Sequence, residues 1–191
     1  MLKCLITTYN FISASGITRH PRHHTIRSGA SATLTCRTDI PATFAWFEKE
    51  DTPITGGFTI TPLQSVLTLG PLSSRTIVHC TAHTADTTYT SQRAIVNVLG
   101  VVTSPHDVVT AEGGVGQLVC SIQGDGVQQL EWMRVSDDEV VEGHVETHTV
   151  AHITTSVLST GSADSYYCAA TFNNGLKVES SRASLVQTSN I

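Results

Sequence analysis

The chain has 191 residues, 40% of them hydrophobic and 14% charged, with a formal net charge of −5. That length suits one or two domains. No apolar run approaches the roughly 18 residues needed to cross a bilayer, and no stretch sustains helical periodicity, which excludes a membrane-spanning helix and a helical bundle. Fourteen glycines, six prolines and abundant Ser and Thr punctuate apolar runs of about four to eight residues, the pattern of an all-β protein. There is no Asn-x-Ser/Thr sequon, so N-glycosylation is not expected.

Residues 1–16 precede the repeating part of the chain. Lys3, an apolar middle diluted by Thr7, Thr8 and Asn10, and Ser13-Ala14-Ser15 before Gly16 resemble a short signal peptide with a small-residue cleavage site. A partial N-terminal segment is the alternative reading. Cys4 lies here and is the odd one of five cysteines.

From residue 17 onward two copies of one pattern follow. In the first, Arg19, His20, Arg22, His23 and His24 form a basic, His-rich edge, read as a charged edge strand that resists aggregation. It is short and lacks interleaved aromatics, so a nucleic-acid surface is not expected. Pro21 interrupts the first strand, and Gly29 suits a turn. Ala32, Leu34 and Cys36 alternate onto one face, Trp46 follows, and Leu67 and Leu69 fit the strand before Cys80. Ala94, Val96 and Val98 mark the last strand, ending near Leu99. Gly100 is read as almost the whole linker, holding the domains end to end with a hinge at the glycine.

The second copy repeats Pro21, Gly29, Leu34 and Cys36 as Pro105, Gly113, Leu118 and Cys120, all at an offset of 84. The offset grows to 86 at Trp132 and 88 at Cys168, as small loop insertions would cause. Leu118, Cys120 and Ile122 share a face, Leu130 flanks Trp132, Ala170 answers Ala82, and Ala183 and Leu185 close the copy. Tandem duplication therefore divides the chain into domains at 17–99 and 101–189.

Each copy holds a Cys–Trp–Cys triplet, Cys36/Trp46/Cys80 and Cys120/Trp132/Cys168. Such a triplet suits a small β-sandwich whose disulfide pins two facing sheets against an indole. Equivalent positions favour pairing within each copy, and each closed loop would stabilise its domain by about 4 kcal/mol. Disulfides point outside the reducing cytosol, with unpaired core cysteines as the alternative.

These residues resemble the immunoglobulin superfamily over nearly all of 17–189. Ser162-Ala163-Asp164-Ser165-Tyr166-Tyr167-Cys168-Ala169-Ala170 looks like that family's second-cysteine strand, with Tyr166 at the tyrosine-corner position. Gly175 resembles an I-set hairpin glycine, and only 43 and 47 residues separate the paired cysteines, which favours a short I-set type. The first copy has Val78 at the corner position, and Ser74 and Ser162 stand where the family's Asp is usual. The resemblance implies an all-β fold of two tandem immunoglobulin-like sandwiches and an adhesion or signalling role.

Charge divides unevenly. The first copy carries seven basic and five acidic residues (+2), the second three and eleven (−8). Asp137, Asp138, Glu139 and Glu142 suit a solvated acidic loop or a surface that steers a basic partner. As a calcium site the cluster lacks glycine and further ligands. His144, His148 and His152, spaced by four, would sit about 13 Å apart along a strand, too far for one zinc ion.

The hairpin Phe172-Asn173-Asn174-Gly175 is the strongest contact feature, although Asn-Gly is also simply a good turn pair. No Gly-x-Ser-x-Gly elbow, zincin helix or phosphate loop is present, so no catalytic, metal or cofactor role and no small-molecule substrate is expected. The reading is an extracellular or cell-surface protein-recognition module, homophilic or heterophilic, within an adhesion or receptor ectodomain whose membrane anchor lies outside this sequence. Alternatives are a structural spacer of a matrix or multi-domain repeat protein and a secreted immune-type recognition molecule.

Overall fold

The computed structural model describes residues 16–141 and 144–189. Cys4, the segment 1–15 and Glu142 lie outside them. The described residues form strands β1 (Ile17–Arg19), β2 (His24–Arg27), β3 (Ala32–Thr38), β4 (Thr43–Glu48), β5 (Pro53–Ile54), β6 (Phe58–Thr61), β7 (Gln64–Leu69), β8 (Thr76–His83), β9 (Thr88–Thr90) and β10 (Ala94–Thr103). They continue with β11 (Val108–Ala111), β12 (Gly116–Gln123), β13 (Val127–Arg134), β14 (His144–Val150), β15 (Ile153–Thr160), β16 (Asp164–Phe172), β17 (Lys177–Glu179) and β18 (Ala183–Thr188). The fold is all-β, with a single 3-10 turn at Lys49–Asp51 among the described residues.

Two compact units result. Of the described residues, one comprises 16–22, Thr33–Thr68 and Ile77–Ala94; the other comprises His23–Ala32, Leu69–Thr76 and those from Ile95 onward. In the first, one sheet runs β1-β3-β7-β6, and in the other β4 lies between β5 and β8 while β9 pairs with β8. Period-2 burial explains the pairing of faces: Leu34, Cys36 and Thr38 of β3 and Ser65 and Leu67 of β7 point inward. Trp46 on β4 stands opposite Cys80 on β8 in the antiparallel register. Cys36 and Cys80 are bonded across the core, with Cα atoms 6.5 Å apart. Val78 is fully buried there, so an aliphatic side chain fills the space that a corner tyrosine would take.

The second unit places β12 between β15 and β10, with β14 outermost, opposite a sheet of order β11-β18-β16-β13 on which β17 pairs with β16. Its core joins Leu118, Cys120 and Ile122 to Trp132, Leu158, Tyr166, Cys168, Phe172 and Leu185, with Leu130 packed against it. Cys120 and Cys168 are bonded at a Cα separation of 6.4 Å. The duplication extends to an unusual detail. A short strand pairs in parallel with a later one both at β2/β10 and at β11/β18.

Gly100 differs from its expected role. It lies inside the continuous strand β10, in register with Gln123, and a Cβ there would sit 2.7 Å from Ser28 Cβ. Glycine is needed for close approach, and strand pairing continues through it.

Candidate recognition site

Strand β16 delivers its last residue, Phe172, to the hairpin singled out in the sequence. The turn is closed by the Gly175 N–H donating to Phe172 O at 2.8 Å and the Phe172 N–H donating to Leu176 O at 2.9 Å. Asn174 Oδ1 accepts from the Leu176 N–H at 3.0 Å. Gly175 takes a positive φ of 79°, a conformation glycine adopts without a Cβ penalty. The side chains divide: Phe172 is 1% exposed, whereas Asn173 and Asn174 face solvent. Phe172 is thus corrected from a contact residue to a core residue, since period-2 alternation along β16 carries its ring inward beside Ala170 and Cys168. The surface role rests on the two asparagines.

A loop at Gly124–Gly126 braces the hairpin. Asn173 donates its N–H to Gly126 O at 2.9 Å. Gly124 has φ of 138°, and a Cβ there would lie 2.4 Å from Leu99 Cδ2 and 2.8 Å from Phe172 Cε1. Between the glycines, the Asp125 N–H donates to Asn97 Oδ1 at 3.2 Å, and the Asp125 carboxylate lies 3.6 Å from Arg75 Nε. Within this unit an open depression of about 500 Å³, mainly apolar, is lined by Phe172, Asn173 and Asn174 together with His23, His24 and Ile95. That volume is in the range of ordinary ligand pockets.

The basic edge is partly structural. His23 Nδ1 accepts from the Ile95 N–H at 2.9 Å, and His20 Nδ1 from the Gln92 N–H at 3.1 Å. Arg19 and Arg22 remain exposed. In the acidic segment the Arg134 guanidinium holds Asp137 by a bond of 2.6 Å and approaches Glu139 at 3.7 Å. That charge-assisted bond keeps the Asp137 carboxyl below the usual range and raises the Arg134 guanidinium. Tyr167 donates its hydroxyl to Asp138 at 2.7 Å, which pushes the phenol pKa up, aided by desolvation. Arg134 and Tyr167 thus engage Asp137, Glu139 and Asp138 within the chain. His144 and His148 lie on β14 and His152 in the turn after it. Among the described residues no group of three or more His, Cys, Asp or Glu is placed to hold a metal ion.

Around the triplets the structure adds four serines that no sequence motif marks. Trp46 and Trp132 donate their indole N–H groups to Ser65 Oγ at 2.9 Å and Ser156 Oγ at 3.0 Å. Ser91 and Ser180 accept from the Cys80 and Cys168 N–H groups at 2.9 and 3.0 Å. The available signal was a polar residue on an apolar face, two positions before Leu67 and two before Leu158. Tyr166 is buried and donates to Ser162 O at 2.8 Å, the corner bond of the second copy.

No protein-family model matches the chain, and no curated protein matches it in sequence. Solved structures do. A titin tandem of immunoglobulin domains is 13% identical, with TM-score 0.57 over 92% of this chain and 97% of that one. A second titin fragment is 14% identical, with TM-score 0.58 over 90% and 97%. The D1–D2 pair of Rst is 15% identical, with TM-score 0.55 over 90% and 98%. At such identities the likeness carries fold alone. With a buried tryptophan beside a cysteine bridge in each copy and solved tandems matching about nine-tenths of its length, the chain has the fold of two tandem immunoglobulin-like domains.

Proposed function

We propose that the chain is an extracellular protein-recognition module of an adhesion or receptor ectodomain, built as domains 17–99 and 101–189. The observation carrying this reading is the braced hairpin. Asn173 and Asn174 stand exposed on a turn fixed by backbone bonds and anchored by the buried Phe172 ring, at the rim of an open, mainly apolar depression. Exposed amides on a rigid support lose little entropy when a partner orders them, and the neighbouring apolar surface supplies contact area. The two cysteine bridges support a location outside the reducing cytosol. The module acts by non-covalent binding and performs no catalysis in this reading.

Beads coated with the chain test it, mixed with one another and with intact cells. Clumping or cell capture that falls at least about tenfold with Asn173→Arg, a bulky charge at a site where truncations of key contacts cost 2 kcal/mol or more, supports the reading. Beads that stay inert contradict it and leave a structural spacer, and binding indifferent to Asn173→Arg removes the hairpin as the recognition site.

A further inference from the structure

Strand β14 is the outermost strand of its sheet, and all seven of its residues, His144–Val150, are exposed. It pairs with β15 without a bulge, from His144↔Ser159 to Val150↔Ile153. Natural edge strands are usually guarded by Pro, Lys, a bulge or a cover. This one has no proline, lysine or bulge, Glu146 is its one acidic residue, and it carries Val145 and Val150 at 37% and 76% exposure. We propose that β14 pairs antiparallel with the β14 of a second copy, in a register centred on Thr147.

Backbone parity and charge select that register. The turn Ala151-His152 joins β14 to β15 at the pair Val150↔Ile153. In a two-residue hairpin the closing pair is hydrogen-bonded, and alternation then aims the backbone groups of Val150, His148, Glu146 and His144 at β15. Those of Thr149, Thr147 and Val145 point away, free for another strand. Centring on Thr147 sets Thr147 against its symmetry mate and Val145 against Thr149, all through these free groups. Glu146 then faces His148 of the second copy and His148 faces Glu146. These are non-hydrogen-bonded pairs, where opposite side chains approach most closely, Cα atoms about 4.5 Å apart. Twofold symmetry makes the contact twice.

The neighbouring registers of the same parity fail. Centring on Glu146 opposes Glu146 to itself, and centring on His148 opposes His148 to itself. Centring on Val145 sets Glu146 against His144 but pairs only the three strand residues from His144 to Glu146. The central register alone alternates charge and uses the whole strand.

The contact depends on pH. On the outer face of β14, His148 is flanked by Glu146, its one titratable neighbour there, and by Val150, while β15 sets Thr155 opposite it with Ile153 and Val157 alongside, none of which titrates. His152 lies in the turn, and His144 is four residues away on the same face. Only the protonated imidazole forms a charge pair with Glu146, and lower pH favours protonation, so the Glu146–His148 pairs strengthen as pH falls. This self-association uses a different surface from the hairpin proposed above, and either stands if the other fails.

Sedimentation equilibrium of the full chain, up to about 1 mM, tests it at pH 6 and pH 8. A single strand pairing is a small interface, so a weak, reversible dimer is expected, about tenfold tighter at pH 6, the scale of one charge-pair coupling. Glu146→Lys should weaken it at least about tenfold, and Glu146→His combined with His148→Glu, which exchanges the partners, should restore it. Thr147→Pro removes an outward N–H and should abolish the dimer with the circular dichroism unchanged. If that variant unfolds, the exposed charge variants decide alone. A monomer at every concentration, or a dimer indifferent to pH and to Glu146→Lys, overturns the proposal. Loss of bead binding with Asn173→Arg but not with Glu146→Lys assigns binding to the hairpin and leaves the dimer to the centrifuge.

Discussion

Trp132 donates its indole N–H to Ser156 Oγ at 3.0 Å in the buried core. The first copy repeats the bond from Trp46 to Ser65, so each core holds a polar pair where an apolar contact would be expected. An indole N–H removed from water costs more unpaired than a single hydrogen bond contributes, because its full desolvation is then uncompensated. Ser156→Ala and Ser65→Ala should each destabilise the protein by about 1–3 kcal/mol. Urea denaturation followed by tryptophan fluorescence checks this, as a lower midpoint at unchanged slope.

Tyr166 and Val78 occupy equivalent places with different means of support. Tyr166→Phe removes only the hydroxyl that donates to Ser162 O, and about 0.5–1.5 kcal/mol of stability should go with it. Val78 is fully buried without such a bond, so Val78→Ala should act through cavity formation and lost apolar burial instead. Thermal unfolding of the two variants separates the mechanisms: adding a small apolar molecule should restore only the cavity variant.

Legibility in the sequence followed periodicity. Leu34, Cys36, Leu118, Cys120, Trp46 and Trp132 were readable as core because period-2 alternation and matched spacing report a buried face directly. Ser65 and Ser156 were not, since a serine on an inner face becomes meaningful only once the indole opposite is placed. Gly100 looked like a linker because glycine ends strands in composition arguments, whereas its job is to admit Ser28 beside a continuing strand. Phe172 reads as a contact because it adjoins Asn-Gly, yet the alternation that places Cys168 and Ala170 inward also places Phe172 inward. The hairpin was legible; the loop at Gly124–Gly126 that braces it was not, because that contact links positions about fifty residues apart in sequence.

Gly124→Ala should disturb the recognition site without touching its exposed residues. The added methyl meets Leu99 and Phe172 at a φ that disfavours any side chain, so the anchor ring must shift. A loss of about 1–3 kcal/mol is expected, the range for overpacking a core. Amide resonances of Asn173 and Asn174 should move in the same variant; unchanged resonances would show that the brace does not set the hairpin.

Arg134 and Asp137 define a pH response. The carboxyl is held below the usual carboxylate range, first by the hydrogen bond from Arg134. A depressed carboxylate stabilises the fold above its unfolded pKa, and that contribution is lost as pH falls through its folded value. Carbon-detected NMR should find Asp137 titrating at the acid end of the carboxylates, returning toward ordinary values in Arg134→Gln. Tyr167 shows the opposite sign: its phenol is raised by the bond to Asp138, so its contribution is present below the unfolded tyrosine pKa and lost as pH rises through the folded one. Absorbance at alkaline pH should show this tyrosine ionising late, and earlier in Asp138→Asn.

An extracellular recognition role requires that both cysteine bridges form in the protein as it occurs. Non-reducing peptide mapping of the protein recovered from its own cells, alkylated at lysis, tests this most directly. Cross-linked peptides joining Cys36 to Cys80 and Cys120 to Cys168 are the expected result. Alkylated free thiols at those four positions would contradict it, placing the chain in a reducing compartment and removing the ground for an extracellular recognition role.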